Sequence, residues 1–143
     1  MADIVDSETR SRMMSNIRGK DTKPELTLRR ALHARGLRYR LHVKDLPGRP
    51  DLAFPKFRAV VFVHGCFWHR HAGCAKATNP GTRVQFWREK FESNVKRDQR
   101  NSERLKIMGW RVHTVWECEL TNRLVECAAE RVETWLTNGN SFP

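Results

Sequence analysis

RAVVFVHGCFWHRHAGC, residues 58–74, is the stretch that decides how this chain folds. Its first part, Arg58-Ala59-Val60-Val61-Phe62-Val63, is apolar and β-branched, as expected of a buried central strand. From His64 the periodicity stops, and two cysteines and three histidines crowd into the eleven residues ending at Cys74. His64 to Gly81 therefore reads as a long irregular loop, and such loops in compact domains usually carry function.

Upstream of the strand, Asp51-Leu52-Ala53-Phe54 reads as a short strand that Pro55-Lys56 breaks. Pro47-Gly48-Arg49-Pro50 is a turn, and Leu37 to Val43 a further strand. Thr22-Lys23-Pro24-Glu25 has the form of a capping box and predicts a helix over residues 23–35, with Gly36 as its stop. Before it, residues 7–18 read as a helical arm capped by Ser7, with Met13 and Met14 among Arg10, Arg12 and Arg18. Downstream, a long helix is expected over 83–108, with Phe91, Val95 and Leu105 inward and Glu92, Lys96 and Arg100 outward. Gly109 ends it, Trp110 to Trp116 alternates like a strand, and a last helix covers 120–136. The order α-α-β-β-β-α-β-α predicts an α/β fold, a mixed central sheet flanked by helices.

At 143 residues the chain suits one domain, read as 1–143 with residues 1–20 as an N-terminal arm. Its 27 Lys+Arg against 16 Asp+Glu leave a formal charge of +11, which calls for a polyanionic partner such as nucleic acid. Five Trp and seven Phe are too much aromatic material for a disordered basic tail. No apolar run approaches the ~18–20 residues that span a bilayer, and the N-terminus lacks the pattern of a secretory signal. The expectation is a cytoplasmic protein without a membrane partner.

In that setting, dense Cys and His point to metal rather than disulfides. Cys66, His71 and Cys74 supply three ligands of a four-ligand structural zinc site. Cys118, just past the Trp110–Trp116 strand, is the expected fourth, stapling the loop to the core; Cys127, beside Ala128 and Ala129, suits a small buried position. Free thiols and surface histidines are the plainer alternative.

Asp51, at the start of a strand, can hold Mg²⁺ against a phosphodiester. An aspartate that merely caps a turn is the plainer reading, and the basic chain and the histidine-rich loop weigh against it. His69 suits a general base, or equally a zinc ligand or a solvated loop histidine; His64 shares that ambiguity. Glu25 is accounted for by the capping box. His33, His42 and His113 receive no role. Phe67-Trp68, expected at an exposed loop tip, could wedge between DNA base steps or pack beneath the loop. Phe86-Trp87 pose the same question. Trp110 and Trp116 are expected in the core, and Trp135 packs the last helix.

Together, Pro47-Gly48-Arg49-Pro50-Asp51, His64-Gly65-Cys66-Phe67-Trp68-His69, Asn94-Val95-Lys96-Arg97-Asp98, Gly109-Trp110-Arg111-Val112 and Val115-Trp116-Glu117-Cys118 resemble the very short patch repair (Vsr) DNA mismatch endonucleases. Thr9-Arg10-Ser11 and Asp21-Thr22 fit as well, so the resemblance spans roughly residues 5–137. It implies a restriction-endonuclease-like fold with a zinc-stapled loop. It also implies a nick in one strand 5′ to the thymine of a T·G mismatch, such as follows deamination of 5-methylcytosine. By the same resemblance Asp51 and the main-chain carbonyl of Val63 hold Mg²⁺, His69 is the general base, and Glu25 and His64 support the active site. Cys66, His71, Cys74 and Cys118 hold structural Zn²⁺. Phe67, Trp68 and Trp87 form an aromatic wedge, Met14 presses in from the minor groove, and Asn94 joins the DNA-contacting set. The implied partner is double-stranded DNA with a T·G mismatch, bound by a monomer, with mismatch-repair proteins as a further class of partner. The acid-x-Lys triplet usual on the central strand of restriction-type sites is replaced by Phe62-Val63-His64, a peculiarity shared by the family.

Two rivals stay open at this level. One is a sequence-specific restriction-type endonuclease on the same fold. The other is a non-catalytic, zinc-stabilised DNA-binding protein with no need of Asp51 or His69.

Overall fold

The computed structural model describes residues 22–138; the arm with Met14 lies outside the described residues. Helix α1 is Lys23–Ala34, followed by strands β1 (Arg40–Leu41), β2 (Leu52–Phe54) and β3 (Ala59–His64). Helix α2 (Val84–Ile107), strand β4 (Arg111–Trp116) and helix α3 (Val125–Asn138) complete the order. The sheet runs β1-β2-β3-β4, with β1/β2 and β2/β3 antiparallel and β3/β4 parallel. The parallel pair is long, from Ala59 opposite Arg111 to His64 opposite Trp116. α2 is its crossover connection.

β3 is the central strand that its apolar run predicts, and its two faces feed two cores. Ala59 and Val61 pack with Leu28 and Leu32 of α1, Val115 of β4, and Ala129, Val132 and Leu136 of α3. Val60 packs the other way, with Ala53 and with Leu105 of α2, and Phe62, Trp110 and Val112 join them. The result is three layers: α1 and α3 on one face of the sheet, α2 on the other. Leu28 and Leu32 are wholly buried. Each such side chain stabilises the fold by roughly 1.5–3 kcal/mol through burial. Arg111 ties the layers together. Its guanidinium donates to the carbonyls of Trp135 and Leu136 at 2.9 and 3.0 Å, near the C-terminal end of α3, where a cation opposes the helix dipole.

Four local expectations are corrected. Helix α1 starts where Thr22 predicts, but the Thr22 side chain makes no capping hydrogen bond. Glu25 is turned inward instead of back to the cap and is buried. The expected strand from Leu37 to Val43 shrinks to Arg40–Leu41, because His42 adopts a left-handed backbone with φ 47° and turns the chain away. The last helix begins at Val125, since residues 117–119 form a 3-10 turn and Leu120 is buried ahead of the helix. Cys127 is exposed: α3 turns Ala128, Ala129 and Val132 to the core, and Cys127 falls outside that stripe.

The turn before β2 is tightly placed. Gly48 has φ +77°, and a Cβ there would lie 3.0 Å from the Asn101 side chain of α2. Glycine is required on both counts, and the close approach seats Pro47-Gly48-Arg49-Pro50 against α2, directly ahead of Asp51.

Candidate active site and metal centre

Three groups of metal-capable side chains cluster among the described residues: Glu25, His42 and Asp51; His64, His69 and Asp98; and Cys66, His71, Cys74 and Cys118. The first two line a single cleft, which His71 also borders. Lys23, Lys44, Arg49, Lys90, Arg97 and Lys106 lie around the same cleft and give it a cationic rim suited to phosphates.

Asp51 enters from the start of β2. Its Oδ2 accepts the Val63 N–H at 2.7 Å, which pins the carboxylate to the edge of β3. Burial pushes the Asp51 carboxyl up to about 7; the Val63 N–H pulls against that shift, and the nearby Glu25 carboxyl pushes with it. Glu25 also faces Arg29 at 3.4 Å and His42 Nε2 at 3.6 Å. Two acidic groups converge here in partial burial, an arrangement that favours a cation or a retained proton. In an extended strand a residue's N–H and C=O leave by the same edge. The Val63 carbonyl is therefore directed to the side on which Asp51 sits.

His64 ends β3, and His69 returns beside it from the loop. Their rings are stacked at 3.8 Å with an interplanar angle of 6°. Burial, and then repulsion by His69, drives the His64 imidazole down to about 3, so it is neutral at ordinary pH. His69 Nδ1 lies 2.6 Å from Asp98 Oδ2 on α2. One turn earlier on that helix, Asn94 Nδ2 donates to the Trp68 carbonyl at 3.1 Å. Residues four apart share a helix face, so Asn94 and Asp98 grip two consecutive loop residues.

The four expected zinc ligands meet. Their donor atoms lie within 4.8 Å of one another, and His71 Nδ1 is 3.6 Å from Cys66 Sγ and 3.5 Å from Cys118 Sγ. A tetrahedral zinc with sulfur bonds of about 2.3 Å holds its ligands about 3.5–3.8 Å apart, so the two nitrogen–sulfur separations match the ion and Cys74 lies close enough to complete a set of three sulfurs and one nitrogen. Burial pushes the Cys66 thiol up to about 12 and raises Cys118 too, whereas the Lys76 backbone N–H lowers Cys74. Thiols this crowded favour the thiolate form only with a cation among them. Glu117, next to Cys118, accepts the Cys66 N–H at 2.9 Å and fastens the loop at its start.

The aromatic pair is not a free loop tip. Phe67 packs edge-on against Trp68, Trp87 and Phe91 with centroids 5.1–5.6 Å apart, and Trp68 meets Trp87 at 5.7 Å. Both Phe67 and Trp68 are half-buried, while Phe86 beside them is exposed. Trp116 is likewise not core: it stacks on His71 at 4.2 Å and backs the cysteine cluster.

Four residues gain roles that spacing did not reveal. His42 joins the acidic group, and Asp98 holds His69. Asn94, implied as a DNA contact, is buried and spends its amide on the Trp68 carbonyl and its oxygen on Arg97. Arg70 lies over Phe91 at 4.1 Å and donates to the carbonyls of Ala77 and Thr78 and to Asn79, closing the second half of the loop over the aromatics. For Asn94 and Asp98 a signal existed: they fall on the inward stripe of α2 that also holds Phe91 and Leu105, where a polar residue needs a partner.

The chain is also similar to known proteins. Residues 2–76 match the model of the family described as DNA mismatch endonuclease Vsr. The chain is 45% identical over 139 residues to the DNA mismatch endonuclease Vsr of Escherichia coli K12, covering 95% of this chain and 88% of that one. It is 49% identical over 122 residues to the type II nicking enzyme V.XorIIP of Xanthomonas oryzae pv. oryzae, covering 85% and 89% respectively. Among solved structures, the catalytic domain of a homing endonuclease superposes with a TM-score of 0.57 at 19% identity, over 85% of this chain and all of that domain, a likeness of fold.

Proposed function

The chain belongs to the Vsr family of DNA mismatch endonucleases and is a nuclease, and from that premise we propose that it nicks one DNA strand 5′ to the thymine of a T·G mismatch. Its substrate would be the product of 5-methylcytosine deamination, bound by a monomer of one endonuclease domain, residues 1–143, inside the cell. No helix among the described residues is long and apolar enough to cross a membrane. Residues 1–20 would contact DNA as an N-terminal arm, with Met14 pressing in from the minor groove, and mismatch-repair proteins would be further partners.

The observation that carries this reading is the meeting of Asp51 and His69 on one cationic cleft, with His69 held by a carboxylate at 2.6 Å. Asp51 and the Val63 carbonyl would hold Mg²⁺, with Glu25 beside them. Bound there, the ion would supply positive charge against the charge developing on the phosphate. Asp98 accepts a hydrogen bond from the His69 Nδ1–H, which leaves the Nε2 lone pair free to take a proton from the attacking water. His64, neutral and stacked on His69, fixes the ring plane without adding a second positive charge. Cys66, His71, Cys74 and Cys118 would hold Zn²⁺ as a staple, keeping His69 and the aromatic wedge of Phe67, Trp68 and Trp87 at fixed positions.

The direct test is single-turnover nicking of matched T·G and T·A duplexes with added Mg²⁺. The parent should nick the T·G duplex 5′ to the thymine and spare T·A. Asp51→Ala and His69→Ala should bind the T·G duplex yet lose several orders of magnitude in rate. Double-strand cutting of the T·A duplex would favour the restriction-type rival. Binding without any Mg²⁺-dependent nicking would favour the non-catalytic one.

A further inference from the structure

His42 lines the same cleft, beside Glu25 and Asp51, and takes no part in the nicking chemistry. It follows β1 with φ 47°, a left-handed conformation that costs energy in a residue other than glycine, although histidine tolerates it better than most. The backbone there is held rather than loose, since the His42 N–H donates to the Asp51 carbonyl at 3.2 Å. That bond couples the turn to the residue that opens β2. It aims the imidazole inward: the His42 side chain is only 19% exposed, and Nε2 lies 3.6 Å from Glu25 Oε2. The donor atoms of Glu25, His42 and Asp51 all fall within 4.8 Å of one another. A cation with bonds of about 2.0–2.2 Å holds its donors up to about 4.4 Å apart, so a small closure of side chains would seat one.

We propose that His42 is a third protein ligand of the divalent-cation site, giving Asp51 and Glu25 an imidazole partner and suiting the site to a first-row transition dication such as Mn²⁺. The inference rests on Asp51 as a metal ligand and adds the nitrogen. Mg²⁺ is a hard ion that favours oxygen donors and keeps its waters, so an imidazole contributes little to holding it. First-row transition dications accept imidazole nitrogen together with carboxylates, with affinity rising from Mn²⁺ onward, and Mn²⁺ is the member of that series that also keeps the preference for carboxylate oxygen. Left-handed strain at His42, its hydrogen bond to Asp51 and its position against Glu25 all act to deliver one ring nitrogen to two carboxylates. A histidine that served only as an ion-pair partner of Glu25 would keep that contact and would not coordinate.

The test is Mn²⁺ binding to protein whose cysteine cluster is already loaded, since thiolates select softer ions than Mn²⁺. Electron paramagnetic resonance of added MnCl₂ gives the affinity, and electron spin-echo modulation reports ¹⁴N bound to the ion. The parent should show nitrogen coupling. His42→Gln should lose that coupling and bind Mn²⁺ at least about tenfold more weakly, the low end of what even outer-shell partners contribute. Mg²⁺ affinity, read by displacement of Mn²⁺, should change less. Thermal melting of His42→Gln checks that it folds. Nitrogen coupling that survives in His42→Gln, or none in the parent while Asp51→Ala abolishes binding, overturns the His42 assignment and leaves Asp51 standing. Mn²⁺ binding indifferent to Asp51→Ala overturns both.

Discussion

His69 Nδ1 and Asp98 Oδ2 are 2.6 Å apart, joining a residue of the irregular loop to a residue 29 positions on, in the middle of α2. The contact selects a tautomer and an orientation for the imidazole. Asp98 is thus a positioning residue, acting on the reaction through His69. Asp98→Asn keeps the shape but offers an amide that can present its N–H group to the ring, favouring the wrong tautomer. The expected outcome is a loss of about 10²–10⁴-fold in single-turnover nicking, the range associated with general base catalysis, at nearly unchanged affinity for T·G duplex. Asp98→Glu should recover part of the rate. A merely structural role would instead lower affinity, melting temperature and rate together.

Zinc content and stability form the second prediction. The cysteine cluster joins three ligands of the loop to Cys118 beyond β4, so a bound ion closes a long span of chain. Protein purified without chelator should carry about one zinc per chain by elemental analysis. Cys118→Ser should lower zinc content, lower the melting temperature and make residues 65–83 more open to proteolysis, because structural metal contributes directly to folding. Cys127→Ser, on the exposed side of α3, should change none of these.

The pH dependence of stability without added divalent cation follows from Asp51. Its carboxyl titrates near 7 in the fold, against about 3.9 in an unfolded chain. Between those values the folded protein keeps a proton that the unfolded chain has released. Asp51 therefore makes stability fall as pH rises from about 4, and the loss is complete above about 7. Asp51→Asn removes that slope. It should melt roughly 2–6 °C above the parent at pH 8, and the gap should shrink toward pH 5.5. Mg²⁺ added at pH 8 should raise the melting temperature of the parent and not that of the variant.

The legible parts of this molecule are those where periodicity and burial coincide. β3 is buried on both faces, so Ala59 to Val63 reads as a central strand with no tertiary information. Helix α2 is long enough that its inward stripe and its Gly109 stop stand out. β1 is shorter than its pattern predicts, because its two residues are exposed and its end is decided by the backbone turn at His42, which no periodicity announces. The cysteine set was readable because metal-ligating residues announce themselves by type. His42 and Arg70 were not, since His and Arg are at home on any basic surface, and Asp98 shows only as a polar residue on the inward stripe of α2, without its partner. Only the fold reveals that Asp98 faces His69 and that Arg70 covers Phe91. Thr22 and Glu25 show the converse: a local pattern with an adequate local explanation hid a glutamate turned toward Asp51.

The last prediction concerns how a mismatch is told from a paired step. Phe67, Trp68, Trp87 and Phe91 form one connected aromatic cluster, with Phe67 and Trp68 half-buried on the wall of the cleft, Phe91 buried behind them and Arg70 over Phe67 and Phe91. Packing of this kind has been the plainer explanation for Phe67 and Trp68. It also makes them a rigid wedge, because side chains already held in place lose little entropy on insertion. Opening a base step costs a few kcal/mol, less where a wobble pair stacks poorly, and base–aromatic stacking returns about 1–3 kcal/mol per base. Insertion is therefore favoured at the mismatch and resisted elsewhere. Trp68→Ala should weaken binding to T·G duplex far more than to T·A duplex, by roughly 1–3 kcal/mol of lost discrimination, with zinc content unchanged. A 2-aminopurine beside the mismatch should change its fluorescence on binding the parent and respond much less to the variant. The Asn94 bond to the Trp68 carbonyl supplies a control, since it is made by the backbone and survives the substitution. His69 should therefore stay in register, and nicking at saturating protein should fall less than affinity does. If both duplexes lose affinity equally while the 2-aminopurine response persists, Trp68 serves the packing of the loop and not the recognition of the mismatch.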